Sequence, residues 1–236
     1  MHHLILVVGL ATLLLLTLLL LAVRSESRPS GLRISDAAAA VVHARVLSLT
    51  HRRDRRALLQ PLVAAWGLRP RLRTAVVDAV YPADGCRASH VAALEEALRL
   101  GEDPICVLED DAEATQDDFR DTLRLVREVD EEWEGILLAR VIHAAKPVVS
   151  GLLRVTSART TAGYLVTAAT ARRLLRLWKS PVREGAHPRT RHVDIRWLPE
   201  LREHRWYTPS SPLLVQRAGP SDITGRVEDY SEFGRR

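Results

Sequence analysis

Pro104-Ile-Cys-Val-Leu-Glu-Asp-Asp111 decides the fold, because five apolar residues end abruptly in three acids. A short apolar run of this length reads as a buried strand. The acids at its carboxyl end read as side chains delivered to the edge of a sheet. Residues two apart on a strand point to the same side, so Glu109 and Asp111 can converge on one ion while Asp110 faces the other way. For an isolated Glu-Asp-Asp triplet a solvated loop is the readier reading; its place directly after an apolar run brings a candidate site level with it.

Working outward toward the N-terminus, residues 41–50 are rich in Val and Leu and lead into a charged run, 51–56. This predicts a buried strand turning into a helix that continues through 58–66 and ends at Gly67. Residues 72–80 are a second apolar run, and Pro82, Asp84 and Gly85 read as loop punctuation. A helix is expected from near Ser89 to Gly101, with Val91, Leu94 and Leu98 on one face. Toward the C-terminus, Thr115 and Asp118 resemble a capping box for a helix lined by Phe119, Leu123 and Val126. Strands are expected at 136–141 and 162–167, a helix at 168–178, and a last extended segment at 206–216. Alternating strands and helices predict an α/β domain with a mixed, largely parallel sheet that binds ligands at the carboxyl ends of its strands.

The first residues differ from the rest. Residues 4–23 carry no charge and are mostly Leu; at 1.5 Å rise per residue they span about 30 Å, the thickness of a bilayer's hydrocarbon core. This predicts an N-terminal transmembrane anchor over 1–24, longer than the apolar region of a signal peptide. Residues 25–39, with Pro29, Ser30 and Gly31, have the composition of a linker, and 40–236 are left for one domain. Arg24, Arg28 and Arg33 follow the apolar segment, a bias that favours a cytoplasmic domain.

The chain of 236 residues has a net charge of +5, yet it is not read as a nucleic-acid binder. Of its 34 basic residues only Lys146 and Lys179 are lysine, and the arginines are scattered among 29 acids instead of forming a stripe. Cys86 and Cys106 are too few for a disulfide framework and lack metal-ligand spacing. The histidines show no paired ligand spacing of the kind a two-metal phosphoesterase uses.

Gly85-Cys-Arg-Ala-Ser-His90 followed by Val107-Leu-Glu-Asp-Asp111 is the most specific pair of segments in the chain. Val46-Leu-Ser-Leu-Thr-His-Arg-Arg-Asp-Arg55, Trp133 to Leu138, Ala162-Gly-Tyr-Leu-Val-Thr167, Val193-Asp194, Pro212-Leu-Leu-Val-Gln216 and Ser221-Asp-Ile223 accompany it in order. Together they resemble glycosyltransferase family 25, the family of lipooligosaccharide and collagen galactosyltransferases. The resemblance implies a GT-A-type, Rossmann-like domain, an inverting transfer, and a UDP-sugar donor carrying galactose or glucose. It also implies a glycan, lipid-linked or protein acceptor. Bacterial relatives work on the cytoplasmic side and eukaryotic ones in the secretory lumen, so the side of the membrane stays open at this point.

Mn²⁺ or Mg²⁺ is the expected cofactor, since these ions prefer carboxylate and phosphate oxygens. Glu109 and Asp111 are the expected metal ligands, with Asp110 toward the ribose or sugar. Asp194 is the expected base for the acceptor hydroxyl, although Arg191 or Arg196 beside it would equally suit a surface ion pair. Arg55 suits the diphosphate. Ser89 and His90 are expected at a helix start, where Ser caps and backbone N–H groups favour anions. Gln216, Ser221 and Asp222 belong to the closing motif, where turn chemistry is the alternative. Cys86 is expected to be buried without chemistry. The competing functions are a non-catalytic, membrane-tethered relative and a metal-dependent phosphoesterase.

Overall fold

The computed structural model describes residues 42–115 and 119–229. The expected anchor, the linker and Asp118 of the capping box lie outside the described residues. Among the described residues no helix is long and apolar enough to cross a membrane.

The elements run β1 (His43–Ser48), α1 (Arg53–Ala65), β2 (Arg69–Thr74), α2 (Pro82–Arg99), β3 (Ile105–Glu109), β4 (Ala112–Ala114), α3 (Phe119–Val129) and β5 (Gly135–Leu137). They continue with β6 (Val141–Val149), β7 (Leu152–Arg159), β8 (Gly163–Val166), α4 (Ala168–Lys179), a 3₁₀ turn (Pro188–Arg191), α5 (Val193–Arg196) and α6 (Leu198–Glu203). Four short strands close the described chain: β9 (Trp206–Pro209), β10 (Leu214–Gln216), β11 (Gly219–Pro220) and β12 (Val227–Glu228).

Eight strands form one mixed sheet in the order β2-β1-β3-β8-β5-β9-β7-β6. Strands β2, β1, β3, β5 and β9 run one way and β8 is inserted against them, while β6 and β7 add an antiparallel hairpin at the β9 side. The chain leaves β1 toward β2 on one side and returns to β3 on the other. The strand order therefore reverses between β1 and β3, where a crevice opens at the carboxyl ends.

Strand β3 shows why these residues fold so. Cys106 and Leu108 enter one core with Leu59, Leu62 and Val63 of α1 and Phe119, Leu123 and Val126 of α3. Ile105 and Val107 enter the other, with Ala93, Leu94 and Ala97 of α2 and Leu174 and Trp178 of α4. All four strand residues are fully buried, the continuous apolar pattern of a strand covered on both faces. The alternation carries on into the acids: Glu109 leaves on the α2 face and Asp110 on the α1 face.

Two expectations need correcting. The helix expected from Ser89 starts at Pro82, with Pro in its first turn, where the missing N–H costs nothing. Gly85 is therefore not a loop residue but lies inside α2. A Cβ there would stand 2.7 Å from the Val76 carbonyl and 2.8 Å from the Asp78 nitrogen, so glycine admits the close approach of the 75–78 segment. Second, residues 206–216 divide between two sheets, β9 in the large one and β10 paired with β4. The Thr115 hydroxyl donates to the Pro212 carbonyl at 2.8 Å, holding this small sheet together. The ends of α1 and α2 are as expected, with Gly67 and Gly101 at positive φ of 64° and 70°.

Candidate functional site

A cavity of about 510 Å³ opens at the carboxyl ends of β1, β2 and β3. Arg55, Ser89, His90, Glu109, Asp110, Asp111, Asp194, Gln216, Ser221 and Asp222 all line it. Residues from five separated stretches of sequence thus share one space, although their local roles differ from one another.

Glu109 ends β3 and turns toward α2. Its Oε1 accepts from His90 Nε2 at 3.1 Å and from the Thr161 hydroxyl at 2.7 Å. His90 is fully buried, with Nδ1 3.0 Å from the Tyr164 hydroxyl and its ring stacked on that of Tyr164. Burial pushes the Glu109 carboxyl up, but the His90 and Thr161 bonds and the Arg55 charge outweigh it and hold the carboxyl below its ordinary range.

Asp111 lies in the turn after β3. Its Oδ2 accepts from Gln216 Nε2 at 3.1 Å and lies 3.5 Å from the Arg55 guanidinium. Its Oδ1 is buried without a hydrogen-bond partner. Burial, with the charge of Glu109 added, pushes Asp111 up to about 7. Asp110 faces α1 and accepts from Arg55 Nη1 at 3.3 Å, and burial raises its carboxyl as well. Arg55 also donates to the Pro220 carbonyl at 2.6 Å, so in this structure it joins the acids to the β11–β12 hairpin.

The β4–β10 ladder sets Gln216 opposite Ala112, next to the acids. Asp194, in α5, pairs with neither Arg191 nor Arg196. Its Oδ2 accepts from Arg159 Nε at 2.9 Å and from the Thr160 backbone N–H at 3.2 Å. Arg191 instead pairs with Asp84, and Arg196 donates to the Leu177 carbonyl.

Ser89 does not cap a helix. Its hydroxyl sits inside α2, donates to the Gly85 carbonyl at 2.8 Å and accepts from the Val76 N–H at 2.7 Å, fastening the cavity's 75–78 wall. His90, one residue on, is likewise a turn and more inside the helix and does not offer a helix N-terminus. Ser221 takes the N–H groups of Ile223 and Thr224, both at 3.2 Å, in a turn. Asp222 accepts from Arg52 at 3.0 Å.

The residues fit a hard divalent cation at Asp111, whose Oδ1 is a buried carboxyl oxygen without a hydrogen-bond partner. Among the described residues Cys86, His90 and Glu109 also bring potential ligand atoms within 4.8 Å of one another. That trio fits a metal poorly. Burial and the charges of Glu109 and Asp194 push the Cys86 thiol well up, against the thiolate a metal needs, and His90 and Glu109 already bond to each other.

Sequence reasoning missed Arg159, Thr160 and Thr161, which touch Asp194 and Glu109 directly and Asp111 through Gln216. Their signal was present only as a polar break, Arg159-Thr-Thr161, before Ala162-Gly-Tyr164.

No family model and no curated protein matches the sequence. Three solved structures match the chain at low identity and low structural similarity. A197 from STIV is 11% identical with a TM-score of 0.44, over 80% of this chain and 99% of that one. A glycosyltransferase involved in the glycosylation of the major capsid of PBCV-1 is 8% identical with a TM-score of 0.44, over 75% and 94%. Mannose-1-phosphate geranyltransferase from Thermus thermophilus is 15% identical with a TM-score of 0.35, over 73% and 58%. At such scores the functional reading rests on the cavity's own residues.

Proposed function

We propose that the chain is a metal-dependent glycosyltransferase with a GT-A-type domain, transferring a hexose from a UDP-sugar to a hydroxyl acceptor. The observation that carries this reading is the convergence of Glu109, Asp110, Asp111 and Asp194 on one cavity at the strand-order reversal. The family 25 resemblance agrees with it and narrows the sugar to galactose or glucose and the acceptor to a glycan, lipid-linked or protein hydroxyl.

Asp111, with Glu109 behind it, would hold Mn²⁺ or Mg²⁺. When bound, the ion offsets charge on the departing diphosphate. Asp110 accepts hydroxyl hydrogen bonds from ribose or sugar. Arg55 exchanges its carboxylate partners for the diphosphate, which guanidinium matches in bidentate fashion. Asp194 takes the acceptor's proton as the acceptor oxygen bonds the anomeric carbon and the bond to the diphosphate breaks. Residues 1–24 would tether the domain to a membrane.

The test is UDP-sugar binding and hydrolysis by the full chain, with and without Mn²⁺, beside Asp111→Ala. Metal-dependent binding that disappears in the variant supports the transferase. A folded protein that binds no UDP-sugar under any metal condition leaves the non-catalytic reading in its place.

A further inference from the structure

Among the described residues Thr160 is the one non-glycine residue at positive φ, 72°. A β-branched side chain is a rare occupant of the left-handed region, and such strain persists where the surroundings over-determine it. Thr160 lies in the short link between β7 and β8, and a glycine would make the same turn without strain. What glycine cannot supply is the side chain.

That side chain is fully used. Thr160 Oγ1 donates to Gln216 Oε1 at 3.1 Å and accepts from the Ala162 N–H at 3.4 Å. Gln216 then turns its other end to Asp111 at 3.1 Å. The Thr160 backbone N–H points to Asp194 Oδ2 at 3.2 Å. The next residue, Thr161, is buried and sends its hydroxyl to Glu109 Oε1 at 2.7 Å. Two consecutive residues therefore reach three carboxylates that stand on β3, on the turn after it and on α5.

We propose that Thr160-Thr161 is a positioning hub that fixes Glu109, Asp111 and Asp194 relative to one another, its strained turn being the means by which one short link addresses all three. This rests on the metal-dependent transferase reading. Thr160 acts on Asp111 through Gln216, and Thr161 acts on Glu109 directly; neither is assigned contact with the reacting atoms.

The experiment measures Mn²⁺ affinity, with UDP as the probe ligand, and thermal stability for the full chain and for Thr160→Ser, Thr160→Val, Thr160→Gly and Thr161→Val. Residues that hold a metal's own ligands in place are worth about 10–100-fold in affinity. Thr160→Val and Thr160→Gly are each expected to weaken Mn²⁺ binding about tenfold, and Thr161→Val by at least as much. Thr160→Ser, which keeps the hydroxyl, is expected to stay within about twofold of the parent. Thr160→Gly is expected to melt no lower than Thr160→Val, which lacks the same hydroxyl bonds but keeps the strained turn. Affinity indifferent to the Thr160 hydroxyl overturns the hub while the parent's own binding keeps the metal reading. A glycine variant that melts lower than the valine variant overturns the strain argument. A parent chain that binds no Mn²⁺–UDP overturns the metal reading and the hub together.

Discussion

His90 Nε2 stands 3.1 Å from Glu109 Oε1, and the histidine that makes this bond is wholly enclosed between α2 and the sheet. Removing one partner of a buried pair leaves the other without compensation, at roughly 3–5 kcal/mol. The Thr161 bond to the same oxygen softens this, so His90→Ala is expected to cost about 2–4 kcal/mol in urea denaturation. The folded Glu109 carboxyl lies below its ordinary value. Its contribution is thus present above the unfolded carboxylate pKa and is lost as pH falls through the folded one. A His90→Ala protein should show a shallower loss of stability below about pH 4.

Asp111 behaves in the opposite sense. Burial raises its carboxyl to about 7, so the folded state keeps a proton that the unfolded chain releases near pH 3.9. The associated stability is present at low pH and is lost as pH rises from about 4 to about 7. Metal-free Asp111→Asn should therefore be flatter across this window and more stable than the parent at pH 8, by about 1 kcal/mol or more. Added Mn²⁺ should reverse the order, because a ligand stabilises only the fold that binds it. Chemical denaturation at pH 5 and 8, with and without Mn²⁺, checks both.

Gly85→Ala probes the wall made by residues 75–78. The added methyl would meet the Val76 carbonyl at 2.7 Å and the Asp78 nitrogen at 2.8 Å, and these are backbone atoms that cannot rotate away. Overpacking of this kind costs roughly 1–3 kcal/mol. Val76, Val77 and Asp78 line the cavity, so the loss of stability should come with weaker UDP binding, read by calorimetry on the same samples.

The β3 segment was legible because its pattern is local: a buried run and a sharp change to acid. Helices α1, α3 and α4 followed from their local residue patterns for the same reason. The start of α2 was not, since Pro82, Asp84 and Gly85 carry loop signals that apply to isolated chain. There Pro sits harmlessly in a first turn and Gly85 answers to Val76 and Asp78, nine and seven residues earlier in sequence. The β6–β7 hairpin was missed outright. Its strands are half exposed and bulged, so they lack the apolar run that betrayed β3. The candidate acids could be named from sequence, but not their partners: Arg159 meets Asp194 across 35 residues, and Thr161 meets Glu109 across 52.

Asp194 gives the sharpest separation of chemistry from binding. Its carboxylate lines the cavity and is held through Oδ2 by Arg159 and the Thr160 N–H, partners it does not share with Asp111. A general base contributes about 10²–10⁴-fold to turnover, whereas a metal ligand contributes to binding. Asp194→Asn keeps the size and the acceptor oxygen for Thr160 but removes the basicity. It is expected to lower kcat about 10²–10⁴-fold with Mn²⁺–UDP affinity unchanged. Arg159→Ala leaves the carboxylate in place without its 2.9 Å partner, and misorientation alone should cost kcat about tenfold to a hundredfold. Steady-state kinetics and calorimetry on both variants decide the role: if Asp194→Asn loses Mn²⁺–UDP binding and turnover together, Asp194 belongs to the donor site and the base must be sought among the other residues of the same wall.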